Sequence, residues 1–156
     1  MSEQHHYHAT VKWTGNKGEG TTNYRSYERE HTISIENKTT IVGSADPAFR
    51  GDHTKHNPEE LLISSLSACH MLWYLHLCSE AGVIVTDYSD KVTGLMIETL
   101  TGRGIFKSVT LNPVVVITDH TMVEKANGLH KKANELCFIA NAVNFAVHHN
   151  PTTIVK

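Results

Sequence analysis

Apolar and polar residues alternate at the start of the chain. Residues 7–13 read Tyr-His-Ala-Thr-Val-Lys-Trp and put Tyr7, Ala9, Val11 and Trp13 on one face, the period-two pattern of a half-buried strand. Residues 15–20 are glycine-rich and predict a loop. Ile33 and Ile35 then alternate with Thr32, Ser34 and Glu36. Asn37-Lys38 supplies a turn and residues 39–42 a further strand, so a hairpin is expected. Residues 43–56 have no periodicity, contain Asp46-Pro47 and Arg50-Gly51-Asp52, and predict a surface loop of the kind that often carries function.

The pattern changes at Asn57. Asn57 suits a helix N-cap, and Pro58 suits the first helical position, where its missing N–H costs nothing. Glu60 can reach back to close a capping box. The helix should run to Ala81, with Gly82 just past its end. Its apolar residues, among them Leu61, Ile63, Leu66, Met71, Leu72, Trp73 and Leu77, lie on more than one face, so a helix buried on most sides is expected. Ser64, Ser65, Ser67 and Ala68 are small and would let another backbone approach just before Cys69.

Two strands are predicted next, at residues 88–98 and 105–118, the second interrupted at Asn112-Pro113 by a bulge or an edge position. A second helix starts near Met122. Met122, Ala126, Leu129, Ala133, Leu136, Ala140 and Val143 keep three- or four-residue spacing, and Cys137 lies inside that stretch. Residues 152–155 suit a last short strand. The order βββ-α-ββ-α-β groups its strands, which favours a mainly antiparallel α+β architecture over a doubly wound sheet. No repeat or linker divides the chain, so residues 1–156 are expected to form a single domain.

Composition narrows the chemistry. Of 156 residues, 40% are apolar, enough for a real core. Fourteen Lys and Arg against 16 Asp and Glu give a net charge of -2, which lends no support to nucleic-acid binding. Residues 61–85 are interrupted by serines, His70, His76 and Glu80 and make a poor membrane span. The first residues show no basic and apolar leader pattern, and the expected location is cytoplasmic. Three cysteines, Cys69, Cys78 and Cys137, are too few for a disulfide-stapled domain.

On its own, Cys69 reads as a small core residue, since burial would leave its thiol inert. It lies too far into the helix for the dipole to activate it, so a reactive Cys69 needs a cation from elsewhere. Cys78 is nine residues on, about 2.5 turns, and faces the other side of the same helix. Spacing does not show whether Cys69 and Cys137 meet. The chain has twelve histidines, but neither His5, His6 and His8 nor His53 and His56 have the spacing of a zinc site. His70 projects about 100° around the helix from Cys69 and is a poor base for it. His148 and His149 are expected to be exposed.

Asn57-Pro58-Glu59-Glu60-Leu61-Leu62 followed by Ser67-Ala68-Cys69 resembles the Asn-Pro-Glu-Glu-Leu…Ala-Cys signature of the OsmC/Ohr family, the osmotically inducible and organic hydroperoxide resistance proteins. The close match covers residues 57–69, and the element order and a late second cysteine extend it. The resemblance implies an OsmC-like fold, an intertwined homodimer with its sites at the subunit interface, and thiol-based reduction of organic hydroperoxides. Cys69 would be the peroxidatic cysteine and Cys137 the resolving one, with Glu59 as the helix-entry glutamate. Arg50 matches the arginine of the OsmC branch, while Arg25 and Arg29 stay open because the Ohr branch draws its arginine from nearer the N-terminus. An external dithiol, such as a lipoylated protein, would reset the enzyme, and neither a metal nor an organic cofactor is needed.

Two features test this resemblance. Glu59 and Cys69 are ten residues apart, about 15 Å along a straight helix. One arginine does not easily serve both, so either the helix breaks near Ser64-Ser65 or two chains build the site. The family also commonly has proline after its second cysteine, where this chain has Phe138; Cys137 could then continue its helix and point elsewhere. The readings from other classes are an OsmC-fold protein that binds a small apolar ligand without turnover, and a cysteine-dependent transferase or hydrolase. The last is disfavoured because no Cys-His-Asp/Asn order is legible.

Overall fold

The computed structural model describes residues 3–156. Met1 and Ser2, which open the stretch without a leader pattern, lie outside the described residues. Helix α1 (Pro58–Ala81) begins where its caps place it. Glu60 N donates to Asn57 Oδ1 at 2.8 Å and Asn57 N donates to Glu60 Oε2 at 3.1 Å, the reciprocal capping box. The helix is continuous through Ser64-Ser65 and stops at Gly82, whose φ of 73° is the left-handed conformation glycine accepts without strain.

The chain forms two units, one up to Leu61 and one from Leu62 onward. The first holds β1 (Thr10–Trp13), β2 (His31–Ser34) and β3 (Ile41–Gly43), an antiparallel sheet in that order. Asn37 makes the predicted hairpin turn with φ 61°. All of β1 is exposed, a correction to the half-buried strand that alternation predicts. The reason is that both clusters of buried apolar residues among the described residues lie in the other unit.

The second unit continues α1 into β4 (Val85–Asp90), β5 (Thr93–Glu98), β6 (Gly104–Leu111), β7 (Pro113–Ile117), α2 (Val123–Leu136), β8 (Ala146–His149) and β9 (Thr152–Val155). Its strands form two three-stranded sheets, β4-β7-β9 and β5-β6-β8, antiparallel except for the β6–β8 and β7–β9 pairs. The α+β, mainly antiparallel class expected from the sequence is observed. Each of the two long predicted strands is divided in two. Asp90 explains both breaks: its Oδ1 accepts from Asn112 N at 2.7 Å, and Asn112 Nδ2 donates to Lys91 O at 2.8 Å. Strand β8 is an addition to the predicted order, formed because β6 offers Ser108 to Leu111 as a parallel partner.

Two helix expectations also change. Along α1 the fully buried residues are Leu66, His70, Tyr74 and Cys78, one stripe at four-residue spacing rather than most sides of the helix. By length and composition α1 matches a membrane span, with mean hydropathy 1.4, but that stripe is built into two cores of this fold. Tyr74 and Cys78 pack with Val115, Ile117, Ala126 and Ala133, and Leu66 packs with Val109 and Leu111. Helix α2 ends at Leu136, seven residues before its apolar period does. The period continues because Ala140 and Val143 pack against Leu66's core, while Ala126 and Ala133 belong to the other.

Candidate functional site

Cys69 sits on α1 one residue before His70 of the buried stripe and is half-buried. Its face of the helix carries Ser65, Ala68, Leu72, Trp73 and His76, which with Phe138 line an open apolar groove of about 660 Å³. Leu72 is 63% exposed and Phe138 67% exposed, so the groove walls face solvent. Trp73 meets Phe138 edge to face at 5.7 Å, which fixes one wall. The residue that stands where the family commonly has proline is thus part of the groove.

Cys137 lies beside Cys69, and both are free thiols. Its backbone leaves the helix with φ -67° and ψ 112°, so the expectation that Cys137 continues α2 is corrected. No proline is needed for that exit. Cys137 Sγ accepts from Ala140 N at 3.3 Å, the service an N-cap oxygen performs, and starts the short turn Ala140–Ala142. Asn141 Nδ2 donates to Glu135 O at 2.9 Å and closes the end of α2. Burial, and after it the neighbouring Cys69 thiol, push the Cys137 thiol up to about 11, so Cys137 is held as S–H. Burial likewise raises Cys78, which lies on the far side of α1 in the core, as its spacing from Cys69 predicts.

Glu59 and the arginines belong to the first unit. Glu59 lines a pocket of about 320 Å³ whose other walls include Trp13, Tyr27, Arg29, His31 and Phe49. Arg29 is locked there. Its guanidinium lies 4.1 Å and 4.2 Å from the ring centres of Tyr24 and Tyr27 and donates to Tyr27 O at 2.6 Å and Tyr24 O at 2.8 Å. Trp13 Nε1 donates to Glu28 O at 2.8 Å and fixes a further wall. Arg50 does not line this pocket, although Phe49 beside it does: it ends a 3-10 turn at Pro47–Phe49 in a left-handed conformation, φ 64°, and is exposed. Arg25 is exposed as well. Arg29 is therefore the arginine that shares a pocket with Glu59.

The family model of the OsmC-like proteins matches residues 51–152. The chain belongs to the OsmC-like protein family. An OsmC-like protein of unknown function from Vibrio cholerae has a similar structure, TM-score 0.84, at 30% identity over 97% of this chain and 100% of that one. The uncharacterized protein YmaD of Bacillus subtilis is 24% identical over 89% of this chain and 87% of its own length. An organic hydroperoxide resistance protein from Elizabethkingia anophelis shares the fold, TM-score 0.70, at 19% identity over the whole of both chains. The OsmC-like fold implied by residues 57–69 is the fold of this chain.

Sequence reasoning missed three residues near these thiols. His130 lies buried on α2, four residues after Ala126 and three before Ala133, so the helical period itself marks it. His149, expected to be exposed, is half-buried beside His70 with its ring centre 5.8 Å away. Tyr74 stacks on His130 at 3.8 Å.

Proposed function

We propose that this protein reduces organic hydroperoxides with Cys69 as the attacking thiol and Cys137 as its partner. The observation that carries the reading is the neighbourhood of two free thiols, 68 residues apart in sequence, at an apolar groove. The groove suits the organic part of such a peroxide, and a protein sharing this fold is named for organic hydroperoxide resistance. A Cys69 thiolate attacks the peroxide O–O bond, becomes a sulfenic acid and releases an alcohol, its oxygen taking up a proton. Cys137 S–H then condenses with the sulfenic acid, forming a disulfide and water. An external dithiol returns both thiols by exchange, becoming a disulfide itself.

The cation that favours the Cys69 thiolate is assigned to Arg29, with Glu59 balancing its charge. We assign this pair to a second copy of the chain. Three observations support a homodimer: α1 is continuous, so Glu59 and Cys69 stay about 15 Å apart along it; the groove walls are uncovered; and the first unit holds neither apolar core.

The test is turnover of cumene hydroperoxide with dihydrolipoamide. Wild type consumes peroxide catalytically, Cys69→Ser does not, and Arg29→Ala slows the reaction at least about tenfold while Arg50→Ala stays near wild type. Saturable binding of the peroxide without turnover would favour the alternative, an OsmC-fold binding protein.

A further inference from the structure

The buried stripe of α1 holds a group that the thiol chemistry does not use. His70 Nε2 and His130 Nδ1 face each other at 3.0 Å, their rings parallel within 3°. Tyr74 stacks on His130 at 3.8 Å and His149 lies against both histidines, at 5.8 Å from His70 and 6.4 Å from His130. Both members of the pair are buried, His70 to 1% and His130 to 0% exposure. Their other nitrogens, His70 Nδ1 and His130 Nε2, have no partner. Among the described residues no set of three His, Cys, Asp or Glu is arranged to hold a metal ion, and the facing nitrogens are occupied by each other.

One proton can sit between two imidazole nitrogens. With both rings neutral, one donates and the other accepts. With both rings protonated, two N–H groups point at each other and the contact is lost. The first extra proton is itself costly, because it places a charge in the core. The titratable groups that act on the pair are Tyr74 on α1, stacked on His130, Asp90 on β4 and His149 on β8; Cys78 and Tyr88 touch Tyr74, and His148 acts only on His149. Asp90 alone favours charge on His70; burial and His149 oppose it and hold His70 at about 4. Burial, then His70 and His149, hold His130 at about 3.

The place of the pair gives it a consequence. His70 adjoins Cys69 on α1, and His130 is on α2, the helix that ends at Cys137. We propose that the His70–His130 hydrogen bond is an acid-sensitive tie that holds Cys137 beside Cys69: neutral, it fastens α1 to α2, and protonated, it lets the helices part and uncovers Cys137. The histidines are positioning residues, and the inference rests on the reading above only in the choice of thiol. The sign is fixed by linkage. A histidine held below its ordinary 6.5 contributes fully above that pH, and its contribution fades as pH falls toward about 4. At pH 4.5, values of 6.5 opened and about 4 closed favour the opened form roughly 70-fold.

The experiment labels the full-length protein carrying Cys69→Ser, which leaves no neighbouring mixed disulfide for Cys137 to attack, with a dipyridyl disulfide, whose S–S bond a thiol cleaves to form a mixed disulfide and release a thiopyridone. Label on Cys137 is located by peptide mass spectrometry, and rates are divided by those of free cysteine at the same pH. From about pH 7.5 to about pH 4.5 the normalised rate at Cys137 should rise roughly 70-fold in this protein with both histidines present, with the far-ultraviolet circular dichroism retained. His70→Gln with His130→Asn places amide nitrogens and oxygens near the paired positions without titrating, and should flatten the rise; His70→Gln alone, which removes the titration that sets the rise, should lower it if the double variant does not fold. A flat profile with both histidines present, an unchanged rise in the histidine variants, or dichroism lost in step with labelling overturns the tie. Failure of the peroxidase reading shows elsewhere, as absent peroxide turnover at neutral pH, and leaves this labelling result intact.

Discussion

The two faces of α1 have much the same composition and opposite fates. One face presents Leu66, His70, Tyr74 and Cys78 to two cores; the other presents Ser65, Cys69, Leu72, Trp73 and His76 to an open groove. Each has a cysteine, a histidine, an aromatic ring and a leucine. Burial separates them: it makes Cys78 a packing residue with a raised pKa, while Cys69 keeps access to solvent and a neighbouring thiol. In the proposed chemistry, reactivity along this helix follows from the face a side chain occupies, not from its type.

The two faces should differ most at the leucines. Leu66→Ala removes a fully buried side chain from a packed core and should lower unfolding stability by about 2–5 kcal/mol. Leu72→Ala, on the exposed face, should cost under about 1 kcal/mol in a denaturant melt yet weaken the proposed self-association in sedimentation. Equal losses in the two melts would erase the distinction between the faces. The cysteines give a smaller effect of the same sign. Cys78→Ser puts a hydroxyl in an apolar core and should cost about 1–3 kcal/mol, whereas Cys69→Ser should stay within about 0.5 kcal/mol while losing peroxide turnover. A turnover defect in Cys78→Ser at full stability would place chemistry on the wrong face.

The entry to α1 was legible because it is local. Asn57, Pro58 and Glu60 act within one turn, and the capping box forms as the spacing predicts. The face of α1 that is buried was not legible, because apolar residues surround the helix and only the sheets beneath choose among them. The end of α2 was hidden for a related reason: Ala140 and Val143 keep the helical period while serving a different core. Of the candidate site, Cys69, Cys137 and Glu59 could be named from motif and position. The choice of Arg29 depends on Tyr24 and Tyr27 clasping a guanidinium, an arrangement that no spacing announces. His130 was marked by its place between Ala126 and Ala133, but its partner His70 is 60 residues away, and only the packing of α1 on α2 brings them together.

The most direct test of the central claim maps all three thiols before and after one equivalent of cumene hydroperoxide, with no reductant present. The account predicts a single disulfide between Cys69 and Cys137, with Cys78 still a free thiol. Three free thiols beside unconsumed peroxide, or a disulfide that includes Cys78, would contradict it.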